Sequence, residues 1–110
     1  MLAKRAYQLI RDGKTDPSIL CPEQIATGKL SRNVTYEFSR GPGLPQVGGR
    51  QPPLYSVTVY WLDEDSGAVY RDVGFTTIKE EAAHKHIERM RALYANGVPK
   101  RIKNANMKLE

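Results

Sequence analysis

The sequence predicts an α+β fold: an antiparallel sheet of about three strands, with a C-terminal helix packed across one face and short N-terminal helical segments. Three observations carry that prediction. Tyr55 to Leu62 alternates as a strand does, Asp63-Glu64-Asp65-Ser66-Gly67 follows as a turn, and Thr77 to Gly97 repeats its apolar residues as an amphipathic helix does. The 110 residues make one domain, a size that buries roughly two-thirds of the unfolded surface. We read residues 1–97 as the domain, with its core in 55–97 and a glycine- and proline-rich loop at 41–53. Residues 98–110 read as a basic C-terminal tail, and Leu109-Glu110 is given no structural weight, since the sequence does not tell whether the pair is a cloning scar.

Each element follows from its residues. Leu2, Ala6, Leu9 and Ile10 stand at helical spacing before Gly13, which predicts a helix over Leu2 to Asp12. A second short helix is expected from Cys21, with Pro22 in its first turn and Gly28 at its end. From Asn33 to Ser39, Val34, Tyr36 and Phe38 alternate with Thr35, Glu37 and Ser39, the period of a half-buried strand. Gly41 to Pro53 holds four glycines and four prolines, a composition that excludes helix and sheet interiors. Tyr55 to Leu62 is apolar or aromatic on both faces, as in a central strand paired on both edges. Gly67 is free to take positive φ in the turn, and Ala68 to Phe75 returns as the partner strand.

The last helix has defined ends. Thr77-Ile78-Lys79-Glu80 matches a capping box, and Asn96-Gly97 before Pro99 is a stop. Between them Ala83, Ile87, Met90 and Tyr94 form one apolar stripe. That stripe is expected to lie across one sheet face, with the N-terminal helical segments at an edge or over the rest of that face.

The net charge of +5 is unevenly spread. Residues 1–54 carry eight basic against four acidic side chains, 55–97 five against seven, and 98–110 four against one. The best-defined unit is therefore the acidic one, and the positive charge lies in its flanks. A phosphate-binding surface would assemble from those flanks, and about six such contacts would cost roughly a thousandfold in affinity between 50 and 200 mM salt. The candidate nucleic-acid contacts are Arg40, Arg50, Arg71, Lys100, Arg101 and Lys103.

Two strands, then Gly74-Phe75-Thr76-Thr77 and Glu80-Glu81-Ala82-Ala83, resemble the arm-site DNA-binding domains of phage-type integrases and the related plant AP2-like domains. The likeness covers about Tyr55 to Met90. It implies that the sheet face away from the helix enters a DNA groove, with Thr58, Tyr60, Tyr70 and Arg71 as contacts. The chain departs from that pattern in carrying one basic residue on its strands, Arg71, against Asp63, Glu64, Asp65 and Asp72.

No residue set points to catalysis. His84 and His86 lie two apart, so they do not share a helix face as metal ligands would. His86 borders the apolar stripe and reads as a packing residue. Cys21 gives no disulfide and suits a reducing compartment. Asp63, Glu64 and Asp65 lack the remaining ligands of a calcium loop. Tyr36, Tyr55, Tyr60, Trp61 and Tyr70 read as core rather than as base-stacking platforms.

The sequence thus predicts a small, cytoplasmic, non-enzymatic binding protein without cofactor, metal or membrane segment. Its expected partner is nucleic acid, held through the basic flanks and tail. The alternative is a protein–protein adaptor using the glycine- and proline-rich loop and an exposed sheet edge.

Overall fold

The computed structural model describes residues 2–12, 23–41, 52–103 and 106–109. In chain order these form α1 (Leu2–Asp12), β1 (Glu23–Ser31), β2 (Val34–Gly41), β3 (Leu54–Leu62), β4 (Val69–Arg71), β5 (Phe75–Thr77), α2 (Glu80–Leu93), α3 (Lys100–Lys103) and β6 (Met107–Leu109). The six strands make one antiparallel sheet in the order β1-β2-β3-β4-β6, with β5 also beside β3. The expectation of about three strands under a C-terminal helix is therefore overturned. The sheet is twice that size, and the helices are small beside it.

Three features hid the additional strands. The first is β1, whose residues read as a helix between Pro22 and Gly28. They instead pair antiparallel with β2 across a tight turn in which Asn33 takes φ 63. Register shifts between Gln24 and Ala26, and between Lys29 and Ser31, break the alternation that would have marked a strand. Gly28 ends nothing; it sits opposite Tyr36, and a Cβ there would stand 2.7 Å from that ring. An aromatic ring lying over a strand glycine is a known sheet device.

The second feature is a one-residue bulge. Tyr60 pairs with Arg71 but Val57 pairs with Phe75, so the single strand expected at Ala68 to Phe75 is split into β4 and β5. Asp72-Val73-Gly74 takes up the extra residue, with Gly74 at φ 79. The third is β6, which pairs with β4 and carries Leu109 into the core at 8% exposure. The sheet thus extends into the 98–110 segment, and Leu109, given no structural weight from sequence, is a core residue.

A helix covers each side of the sheet. On one side Val34, Tyr36, Phe38, Val57, Val59 and Trp61 pack with Ala83, Ile87 and Tyr94, as the stripe on α2 predicts. On the other, Tyr60, Val69 and Leu109 pack with Ala6, Leu9 and Ile10 of α1. The N-terminal helix therefore lies on the face opposite α2, not beside it. The cause is β3 itself, apolar on both faces, so each face needs cover.

β2 is buried on both faces as well. Thr35, Glu37 and Ser39, expected to face water, are interior. Two of them have local partners: Thr35 Oγ1 donates to the Gly28 carbonyl at 2.8 Å, and Glu37 accepts from Gln24 Nε2 at 2.6 Å. The capping box is not formed either. Thr77 is paired with Tyr55 inside the sheet, so its hydroxyl accepts the Lys79 N–H (3.1 Å) while α2 starts at Glu80 without a side-chain cap.

Candidate functional site

At one end of the sheet the β1–β2 turn, the β3–β4 turn and the α2–α3 connection meet around a cleft of about 340 Å³. Local hydrogen bonds build its walls. Asp63 accepts from the Asp65 N–H (3.2 Å) and the Ser66 hydroxyl (3.0 Å), which closes the acidic turn on itself. Asn33 Nδ2 donates to Glu64, and Arg32 Nε lies 3.3 Å from the same carboxylate, so the two turns are joined. The Ile102 and Lys103 N–H groups donate to the Pro99 carbonyl, which winds α3, while Val98 and Ile102 anchor this segment against the core.

Trp61 lines this cleft and is 4% exposed. Tyr70 stacks on the indole at 4.4 Å and 11°, and Lys103 Nζ lies 5.8 Å from the ring centroid. With one face held by Tyr70, the ammonium occupies the other. The indole Nε1 has no hydrogen-bond partner among the described residues.

The cationic residues singled out from sequence do not form one surface. Lys100, Arg101 and Lys103 share α3 and are exposed, and Arg32 of the β1–β2 turn lines the cleft with Lys103. Arg40 sits at the far end of β2, opposite Tyr55, about 20 Å from Trp61 along β3 at a normal strand rise. Arg71 lies opposite Tyr60 and Met107, on the α1 side. Arg50 falls outside the described residues. The face that the integrase-like pattern would send to DNA carries α1 over Tyr60, while Tyr70 belongs to the α2 side. Sequence reading missed Arg32, Asn33, Asp65 and Asn96 as neighbours of Trp61. Only the turn chemistry around Asn33 and Gly67 offered a signal, because these residues meet through strand pairing and not through spacing.

A second group of titratable residues holds the bulge together. Asp72 Oδ1 accepts the N–H of Val59 at 3.1 Å and of Gly74 at 2.9 Å. Burial pushes the Asp72 carboxyl above its usual 3.8, against the pull of those two donors, His86 and Arg71. Burial likewise lowers His86, which stacks on Phe75 at 4.3 Å and so is a packing residue. Tyr94, 1% exposed, is raised by burial, against a smaller opposing pull from the Asn106 side chain. Among the described residues no group of three or more His, Cys, Asp or Glu stands together to hold a metal ion.

A raised carboxyl favours the protonated folded protein. The stability tied to that proton is complete below 3.8 and is lost as pH rises through the folded-state value. Asp72→Asn keeps an oxygen for both amides and removes the ionisation. The variant should equal or exceed the parent at pH 7 by urea denaturation, with the advantage shrinking as pH falls towards 4. Protonation of His86 below about 6.5 weakens the asparagine variant more than the parent, because only the parent keeps the Asp72 charge beside the imidazole, and this adds to the shrinking of the advantage. Asp72→Ala leaves two amides without an acceptor and should cost about 1–3 kcal/mol. An asparagine variant as unstable as the alanine one would contradict this reading.

A comparison with protein-family models finds no match, and comparisons with curated proteins and with solved structures find none either. Among the described residues no helix is long and apolar enough to cross a membrane.

Proposed function

We propose that this is a non-enzymatic binding protein that takes nucleic acid on α3, in a reducing, cytoplasmic compartment as a single cysteine suits. One observation carries the reading. Three of the four α3 residues, Lys100, Arg101 and Lys103, are exposed cations on a folded turn. Fixed cations spend less entropy on a phosphate backbone than a loose tail would. Arg32, 87% exposed in its side chain, extends the positive rim, although Glu64 shares its charge. Arg40 and Arg71 lie away from this rim and enter the reading as separate contacts.

The test is binding to mixed DNA and RNA oligonucleotides across a salt series. The parent should bind at low salt and weaken steeply. The Lys100→Ala, Arg101→Ala, Lys103→Ala triple variant should lower the log–log salt slope by about 0.9 for each duplex-DNA phosphate that these cations neutralise in the parent. An unchanged slope removes α3 from the interface, and absence of binding at low salt removes nucleic acid.

A second reading, a protein–protein adaptor, is supported by Val73, Ile78 and Met107, which are 89%, 58% and 55% exposed. Val73 and Ile78 flank the three-residue β5, and Met107 lies across from Arg71 in the neighbouring pair. Exposed apolar residues beside a short strand suit strand addition by a partner. Most of the glycine- and proline-rich loop of that reading falls outside the described residues.

A further inference from the structure

We propose that Asn96 is a site of covalent modification: its side chain closes on the Gly97 backbone nitrogen and loses ammonia, leaving aspartate or isoaspartate. The chain has four asparagines, and Asn96 is the one that glycine follows. In the first step the Gly97 nitrogen bonds to Asn96 Cγ, and the Cγ–Nδ2 bond breaks. Nδ2 departs as ammonia, carrying the proton of the backbone amide, and a cyclic succinimide remains. Water then adds to either ring carbonyl. Opening at Cγ gives aspartate. Opening at the backbone carbonyl gives isoaspartate, with the chain rerouted through Cβ. Water is the only reagent consumed.

Three observations single out this position. Ala95 and Asn96 are exposed between two anchors, Tyr94 at 1% exposure and Val98 packed against the core. So short an exposed span opens locally while its ends stay in place. The Asn96 side chain has no hydrogen-bond partner among the described residues, so nothing holds its amide away from the backbone. Gly97 has no Cβ to shield its nitrogen, and a Cβ built there would meet nothing within 4 Å. Its N–H donates to the Tyr94 carbonyl at 3.0 Å, and that single turn must open before the nitrogen reacts. The other described asparagines differ. Asn33 Nδ2 donates to Glu64, and the residue after it, Val34, is 2% exposed and paired with Trp61 in the sheet. Asn106 has its Nδ2 buried and precedes Met107 of β6. The new carboxylate joins the cleft that Asn96 lines with Lys103, and the net charge of +5 falls by one. Its effect on α3 rests on the nucleic-acid reading; the modification does not.

The full chain, aged in mildly alkaline buffer and digested, should show the amide-to-acid mass change in the fragment containing Asn96. The rate should rise with pH, because the attacking nitrogen must give up its proton. Conversion at Asn96 should be at least about tenfold faster than at Asn33 or Asn106. An isoaspartyl methyltransferase should label the aged protein. Asn96→Gln should abolish the label, since its longer side chain closes a larger ring. Asn96 is exposed, so this variant keeps the fold, which circular dichroism verifies. A synthetic peptide of residues 94–98 supplies the rate without the fold. Three results would overturn the proposal. One is Asn96 intact in the protein when the peptide has fully converted. Another is Asn33 or Asn106 converting as fast. The third is labelling that Asn96→Gln leaves in place. Asn96→Asp, which adds the charge without rerouting the chain, should weaken oligonucleotide binding at low salt. Unweakened binding beside a confirmed mass change would refute the effect on α3 alone.

Discussion

Phe38→Ala should lower the stability of this protein by about 3–5 kcal/mol, the usual cost of emptying an aromatic site in a core. Phe38 is 1% exposed at the middle of β2. Its neighbours on the sheet are Ala26 on β1 and Val57 on β3. Its ring is also braced by Tyr55, 6.0 Å away, and by His84 edge-on at 5.1 Å. These partners belong to β1, β3 and α2, so little can collapse into the space without disturbing the sheet–helix contact. Domains of this size carry only about 5–15 kcal/mol in total. A fall in Tm of roughly 15–30 °C is expected, read by circular dichroism with urea unfolding as the check. A loss under about 1 kcal/mol would mean that α2 does not pack on β2 as described.

Leu9→Ala should cost about 2–5 kcal/mol, and it tests the side of the sheet that sequence reading misplaced. Leu9 is fully buried, with Ala6 and Ile10, against Tyr60, Val69 and Leu109. Those three residues come from β3, β4 and β6. A docked α1 therefore closes the second layer and holds the last strand as well. Urea unfolding gives the size of the effect, and hydrogen exchange shows whether α1 and β6 open together. Tyr7, on the outer side of the same helix at 42% exposure, supplies the contrast. Tyr7→Ala should stay within about 0.5 kcal/mol. If Leu9→Ala behaved like Tyr7→Ala, the helix would be an ornament on a two-layer fold.

Legibility from sequence followed how much of the cause was local. The α1 helix, the β3 strand, the turn at Gly67 and the stripe of α2 each arise from spacing within one segment, and each lies where the residues indicated. The bulge at Asp72 was unreadable because its cause is a register shift against β3. The capping box at Thr77 was outcompeted, since strand pairing with Tyr55 satisfies the backbone before the helix begins. β6 carries three residues, too few for any period to declare itself.

The candidate cleft lies at the other extreme. Trp61, Lys103 and Asp65 are close because a hairpin, a helix and a one-turn helix end at the same rim of the sheet. Nothing in their spacing anticipates that meeting. The cationic residues show the converse: Arg40, Arg71 and Lys103 share a charge in the sequence, yet strand direction and strand face send them to three different places.

By itself the chain determined the local matters: where apolar residues recur, where glycine and proline interrupt, and which segments carry charge. Tertiary structure decided which strands pair, that a second helix covers the far face, and that the Trp61 indole shares a cleft with an ammonium and a carboxylate. The physical reason is that periodicity reports the one face a segment must bury. Pairing and register depend on backbone hydrogen bonds and ring contacts between residues far apart along the chain.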